Sequence, residues 1–161
     1  MIKAIAAISE KDYIIWNENN IPWNMPWDKD RFRELIKDQI VVMGRVTYES
    51  LKKYYPNYNW HPLAKKNIVL SKTLSSYNWM EVVSDFKVIL QKYKDQIIRV
   101  IWWEKIYKIF LPYIDELYLT LVEWKYQGDA FFPYNYQDFL KEVAWEIWID
   151  KWTIYKYYKK I

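Results

Sequence analysis

Four short runs of nearly continuous apolar residues do most to limit what this chain can become. Ile2 to Ile8, Gln39 to Met43 (QIVVM), Asn67 to Ser71 (NIVLS) and Ile97 to Ile101 are each long enough for one strand and too short for a helix. Apolar residues on both sides of a strand imply burial on both faces, which is the habit of parallel sheets. Segments of helical character lie between them: Val46 to Lys53, Asp85 to Lys92 with Ser84 as its N-cap, and Lys105 to Leu111 stopped by Pro112. Glu81 to Val83 reads as a further short strand and Glu116 to Glu123 as a longer one. The stretches Glu142 to Ile149 and Thr153 to Lys160 alternate enough to form the arms of an antiparallel hairpin. Strand–helix alternation followed by strands without helices predicts a single three-layer α/β domain. Its central sheet is mixed and mostly parallel, with flanking helices and a C-terminal antiparallel hairpin.

Composition narrows the function classes. With 52% hydrophobic and 27% charged residues over 161 positions, the chain reads as globular rather than disordered. No apolar run approaches the roughly 18 residues of a membrane span, and MIKAIAAI lacks the pattern of a signal peptide. Without cysteine there is neither a disulfide frame nor a thiolate metal site, and the lone His61 cannot build one; it is expected to be solvated in the loop Tyr54 to Pro62. The expectation is a cytoplasmic protein without a metal. A net charge of +4 and abundant aromatics invite a nucleic-acid reading, but the lysines are dispersed, and a site for an anionic small molecule explains the same surplus.

Chemistry is expected at three places. Ile14 to Phe32 (IIWNENNIPWNMPWDKDRF) reads as a loop entering a helix, with Pro26 in the first helical turn. Asp28 follows in that turn, and Phe32 shares its face four residues on. Leu35 and Ile36 continue the face, while Lys29, Asp30, Arg33 and Glu34 are wet. A carboxylate on the apolar side of a helix either complements the positive helix N-terminus or serves a site. The other two places are strand-to-helix turns, Met43-Gly44-Arg45-Val46-Thr47 and Val100-Ile101-Trp102-Trp103-Glu104-Lys105-Ile106-Tyr107. In open α/β sheets ligands bind beyond the carboxyl ends of strands. Helix N–H groups and an arginine after a glycine suit a phosphate.

These places fall in one pattern. Ile5-Ala6-Ala7, Asn19, Ile21-Pro22-Trp23-Asn24-Met25-Pro26, Asp28, Phe32, Met43-Gly44-Arg45, Thr47, Asn67 to Ser71, Tyr107, Leu117 to Thr120 and Gly128-Asp129 with Phe132-Pro133 match in order and spacing, apart from an insertion around Lys53 to His61. On these residues the chain resembles the dihydrofolate reductases over essentially its whole length. The resemblance implies an eight-stranded sheet and NADPH-dependent reduction of 7,8-dihydrofolate to tetrahydrofolate by a monomer, with neither nucleic acid nor membrane as partner. It implies catalytic roles for Asp28, for Thr120 as its hydrogen-bond partner, and for Trp23, which would order a water. Ile5, Ala6, Phe32, Leu51, Lys65, Ile101 and Tyr107 would join them in binding substrate. Ala7, Ile15 and Tyr107 would border the nicotinamide of the cofactor, and Arg45, Thr47, Ser71 and Lys72 would hold its phosphates with help from Lys105; Trp16, Asn19, Ile21, Gly44, Val46, Leu70, Ile101, Trp102, Trp103, Glu104 and Ile106 would complete its contacts. The readings kept beside this one are the related reductase domain of riboflavin synthesis and a non-catalytic binding protein.

The chain departs from the family in places. Lys65 stands where the family has an arginine for the substrate's glutamate tail, and Ile36 where it has a threonine. Trp16, Trp102 and Trp103 stand at family glycines, Glu104 often at a third, and the family places a cis peptide at the 102–103 turn. There are 2 glycines, where average usage predicts about 11, and 11 tryptophans. One cause would account for both: UGA codons that mean glycine, translated as tryptophan. Trp23 is exempt, since the family has tryptophan there; Trp60, Trp79 and Trp152 are further candidates.

Overall fold

The computed structural model describes residues 1–18, 20–54, 63–76, 80–150 and 152–161; side chains at 53, 54 and 144–146 are left aside. The expected loop Tyr54 to Pro62 with His61, as well as Asn19, Trp60 and Trp79, therefore falls outside them, apart from Tyr54, which closes a helix.

The strands are β1 (Ile2–Ser9), β2 (Ile14–Trp16), β3 (Ile40–Gly44), β4 (Lys66–Leu70), β5 (Met80–Val83), β6 (Ile98–Ile101), β7 (Glu116–Val122), β8 (Ala130–Phe131), β9 (Leu140–Asp150) and β10 (Thr153–Lys160). The helices are α1 (Pro26–Ile36), α2 (Arg45–Tyr54), α3 (Phe86–Lys92) and α4 (Glu104–Phe110). Eight strands form one sheet in the order β5-β4-β3-β6-β1-β7-β10-β9. The six from β5 to β7 run parallel, and β10 is antiparallel to both β7 and β9, as the alternation and the terminal hairpin predict.

Period-two alternation along β1 divides the interior. Ala4, Ala6 and Ile8 belong to a core with Ile106, Tyr107 and Phe110 of α4 and Ile89 of α3. Ile5 turns to the opposite face, where Phe32 and Ile36 of α1, Tyr48 and Leu51 of α2, Met43 and Ile101 form a second core. Each face of the sheet is thus covered by its own helix pair, which is what an apolar parallel strand requires. Gly44 lets α4 come close to the end of β3, since a Cβ there would stand 2.9 Å from Ile106 Cγ1.

Several boundaries differ from the sequence reading. Asp85, not Ser84, caps α3: its carboxylate accepts from the Lys87 N–H at 2.9 Å, and the ionised acceptor is the stronger cap here. The helix α4 begins at Glu104, and Pro112 does not end the winding but sits inside a 3-10 turn, Leu111–Tyr113, at a position where no N–H is needed. Ile14–Trp16, expected as loop, pairs with β8 as a small antiparallel sheet. Among the described residues no helix is long and apolar enough to cross a membrane.

Candidate active site

The carboxyl ends of β1 and β6, the start of α1 and the segment Ile14 to Asn24 surround a cavity of about 480 Å³. The start of α1 follows from its sequence. Met25 caps it in extended conformation without a side-chain bond, and Pro26 opens the first turn. Asp28 then points from that turn into the cavity. Thr120 reaches it from β7, where it sits beside Ala7 of β1. The Thr120 hydroxyl donates to Asp28 Oδ1 at 2.7 Å. Burial pushes the Asp28 carboxyl above the ordinary carboxylate value, against the pull of the Thr120 hydrogen bond and the Arg31 charge. The acid is thus neither a solvated surface group nor bound in an ion pair with a short contact.

Apolar walls flank it. Ile5, Ala6, Phe32 and Leu51 line one part of the cavity, and Ala7, Ile15, Ile21 and Tyr107 another. Trp23 is buried and its indole N–H has no hydrogen-bond partner. Tyr107 fastens the floor: its hydroxyl donates to the Ile5 carbonyl at 2.5 Å and accepts from the Trp102 N–H at 2.8 Å. Complete burial, with some help from the Asp28 charge, pushes the Tyr107 phenol far up, so it stays protonated.

The turn between β6 and α4 is different in character. Trp102 and Trp103 have φ of 36° and 95°, in the left-handed region that bulky residues avoid. Trp102 stacks on Phe32 with ring centres 4.6 Å apart and 14° between planes. Trp16 packs against both at 6.1 and 6.4 Å, and its buried indole N–H is unpartnered. All three indoles line the cavity. No peptide bond among the described residues is cis, so the 102–103 bond departs from the family pattern; the two positive φ values make the reversal instead. Glycine is retained at Gly128, where a Cβ would lie 2.6 Å from the Trp16 carbonyl oxygen.

Other expected site residues do not line this cavity. Ile101 and Ile106 are core. At the ends of β3 and β4, Arg45 is exposed and pairs with Glu49 at 2.7 Å, Thr47 donates to the Trp102 carbonyl at 3.2 Å, and Ser71 Oγ accepts from the Thr73 and Leu74 N–H groups. Gly44 and Leu70 face each other across β3 and β4, Val46 follows in the first turn of α2, and Lys72 is exposed just beyond. Glu104 accepts from Lys108 and from the Phe131 N–H, tying α4 to β8, and Lys105 is exposed. Lys65 is exposed at the start of β4, away from the cavity lining.

The sequence reading omitted Arg31. It lines the cavity and donates from Nη1 to Thr120 Oγ1 at 3.2 Å. Its spacing of three from Asp28 on one helix was the available signal.

Comparison with known proteins gives one answer. The profile of the family described as dihydrofolate reductase matches residues 1–158. A dihydrofolate reductase of Buchnera aphidicola (subsp. Acyrthosiphon pisum) is 38% identical over 123 residues, covering 74% of this chain and 70% of the relative. That of Bacillus subtilis is 31% identical over 122 residues, covering 74% and 68%. A solved dihydrofolate reductase from Enterococcus faecalis, complexed with NADP(H) and a second ligand, superposes with a TM-score of 0.84 over 99% of this chain and 96% of that one, at 24% identity.

Proposed function

The chain belongs to the dihydrofolate reductase family, and from that premise we propose that it reduces 7,8-dihydrofolate to 5,6,7,8-tetrahydrofolate with NADPH, as a cytoplasmic monomer of one domain. The observation that carries the reading is Asp28. It is the one acid in the cavity lining among the described residues, held by Thr120 next to the apolar wall of Ile5, Phe32 and Leu51. A carboxylate there binds the 2-amino group and ring N3 of a pterin, and its charge favours a proton at substrate N5. Trp23, with its free indole N–H beside the same cavity, orders the water that delivers the proton. Ile5, Phe32 and Leu51 hold the ring in a dry pocket, where the charge of Asp28 acts more strongly than in water.

Part of the chain fits the cofactor as it stands. At the adjacent ends of β3 and β4, Arg45 and Lys72 are exposed cations and Ser71 adds a hydroxyl, a donor set for a phosphate dianion, while Thr47 is buried with its hydroxyl on the Trp102 carbonyl. When bound, NADPH supplies the hydride to substrate C6. The turn at 102–103 does not fit a dinucleotide: Trp16, Trp102 and Trp103 fill it with mutually packed indoles. Left-handed φ at both turn residues is the conformation glycine adopts without cost. Positions 102 and 103 are therefore read as glycines of the working protein, written as tryptophan through UGA codons, and position 16, where the family also has glycine, is read with them. The same cause raises the tryptophan count and lowers the glycine count together. Trp152, a further candidate, is only partly exposed and packs against Trp124 with ring centres 5.0 Å apart.

The test is NADPH consumption with dihydrofolate by the protein carrying glycine at 16, 102 and 103. Turnover that requires both substrates is expected; none at any pH would sink the reductase reading. Intact mass of the native protein tests the recoding separately, since each tryptophan that is glycine in the host lowers it from 20.1 kDa.

A further inference from the structure

We propose that Arg31 is a positioning residue for this reaction: its guanidinium orients the Thr120 hydroxyl so that the hydroxyl proton lies on the Asp28 carboxylate. The inference rests on the reductase reading for its catalytic meaning, but its geometry stands independently. A hydroxyl has one proton, and a guanidinium can only donate. Because Arg31 Nη1 donates to Thr120 Oγ1 at 3.2 Å, the threonine proton is left for Asp28 Oδ1, 2.7 Å away. The three groups form a directed chain of donors ending on the acid.

The surrounding elements hold Arg31 in place. Tyr155 of β10 is the cross-strand neighbour of Thr120, so both side chains rise from one face of the sheet beneath α1. The Arg31 guanidinium lies 3.7 Å from the centre of the Tyr155 ring, a close cation–π contact. Its Nη2 is buried without a hydrogen-bond partner. An arginine serving packing alone would leave that donor at a cost that a shorter apolar side chain avoids. The cost is understandable if the cation has work to do on Asp28.

The charged and titratable groups around this chain come from several elements. Asp28 faces Thr120 of β7 and Arg31 of its own helix, and its charge is felt by Tyr107 of α4 and Tyr155 of β10. Arg31 faces Asp28, Tyr155 and Tyr118, while Asp150 and Glu34 act on Tyr155 from further out. Two of these tyrosines, Tyr107 and Tyr155, are pushed upward, and Arg31 is the cation whose charge acts on Asp28. Burial raises the acid's hold on its proton; Arg31 and the oriented hydroxyl oppose that.

The experiment is a carbon-13 NMR titration of the aspartate carboxyls in the ligand-free protein, with the Asp28 signal assigned by its loss in Asp28→Asn. Arg31→Met should raise the Asp28 midpoint by about one pH unit, the low end for losing an opposite charge nearby. Where that variant does not fold, Arg31→Gln, which keeps length and a neutral donor, is read the same way. In a Thr120→Val background the shift caused by Arg31→Met should fall by about half or more. An Asp28 midpoint that Arg31 variants leave unchanged overturns the proposal, and an undiminished shift without Thr120 overturns the relay. Turnover measured against pH is the second readout: removing the cation should carry activity to higher pH. A moved midpoint in a protein that never reduces dihydrofolate would leave the positioning intact and reject the reductase reading alone.

Discussion

Around Asp28 no residue has left-handed backbone and Thr120 meets both Asp28 and Arg31 at hydrogen-bond distance, although Trp23 and Arg31 each bury an unpartnered donor. Around the turn at 102–103, two bulky residues are forced into left-handed backbone and three indoles crowd one another. A non-glycine residue held in such a conformation costs about 1–3 kcal/mol, and the buried, unpartnered N–H of Trp16 adds a further penalty. Here the strain falls at the turn proposed to meet the cofactor. The backbone at 102–103 is one that glycine adopts readily, and the residues that occupy it are tryptophans. The substrate side shows no such quarrel between residue and conformation.

The largest effect should come from the substrate side. Asp28→Asn removes the carboxylate while keeping the shape, and turnover at pH 7 should fall about 100-fold or more, recovering in part as acid protonates the substrate in solution. Stability should move the other way. Because burial raises the Asp28 carboxyl in the fold, the folded state keeps its proton to higher pH than the unfolded chain. Wild type therefore loses stability as pH climbs from the ordinary carboxyl value through the raised one, and above it the Asn variant should be at least as stable. Denaturant melts of both proteins across acid and neutral pH check the sign. Near-normal turnover at pH 7 would break the comparison at its stronger end.

The turn at 102–103 is tested by replacing Trp16, Trp102 and Trp103 together with glycine. NADPH at 100 times its Kd raises stability by about 2.7 kcal/mol, so the triple variant should show a clear thermal upshift with NADPH where the literal sequence shows little. Burying less apolar surface, the variant without ligand is expected to melt earlier. If the literal sequence bound NADPH as tightly, the indoles would be genuine parts of the site.

How much of this was legible follows from what kind of signal each feature leaves. Strands buried on both faces leave apolar runs, so β1, β3, β4 and β6 were visible, and Asp28 with Phe32 followed from helical spacing. The pairing of β2 with β8 was not, because Ile14–Trp16 and Ala130–Phe131 are too short to show a period. Arg31 was passed over because its partners Thr120 and Tyr155 come from distant strands, and only the register of β7 with β10 brings them under α1. The turn at 102–103 was flagged by residue type alone; its left-handed backbone needed the structure.

A smaller effect concerns cofactor choice. Arg45 is about half exposed and now pairs with Glu49, so it is free to exchange that partner for a phosphate. In the glycine variant, NADPH should be preferred to NADH, and Arg45→Ala should erode the preference by about 1.5–3 kcal/mol, the scale of a charged hydrogen bond. Equal efficiency with both cofactors would show that the donors at the β3 and β4 ends do not read a 2′-phosphate.

The smallest expected change is at Lys65, which the structure leaves exposed at the head of β4 and outside the cavity lining. Its backbone N–H is anchored to the Gln39 carbonyl at 2.9 Å, so the side chain projects from a fixed point. An ammonium on a flexible stem meets a carboxylate as a point charge, whereas a guanidinium grips it with two parallel bonds. If Lys65 reaches the glutamate tail of dihydrofolate, Lys65→Arg should tighten binding, though by only about 0.2–1 kcal/mol because the pair is exposed and salt-screened. Titrating dihydrofolate at low and high salt separates the cases: a gain that fades with salt places the tail at Lys65, and an unchanged Kd at both places it elsewhere along the substrate side.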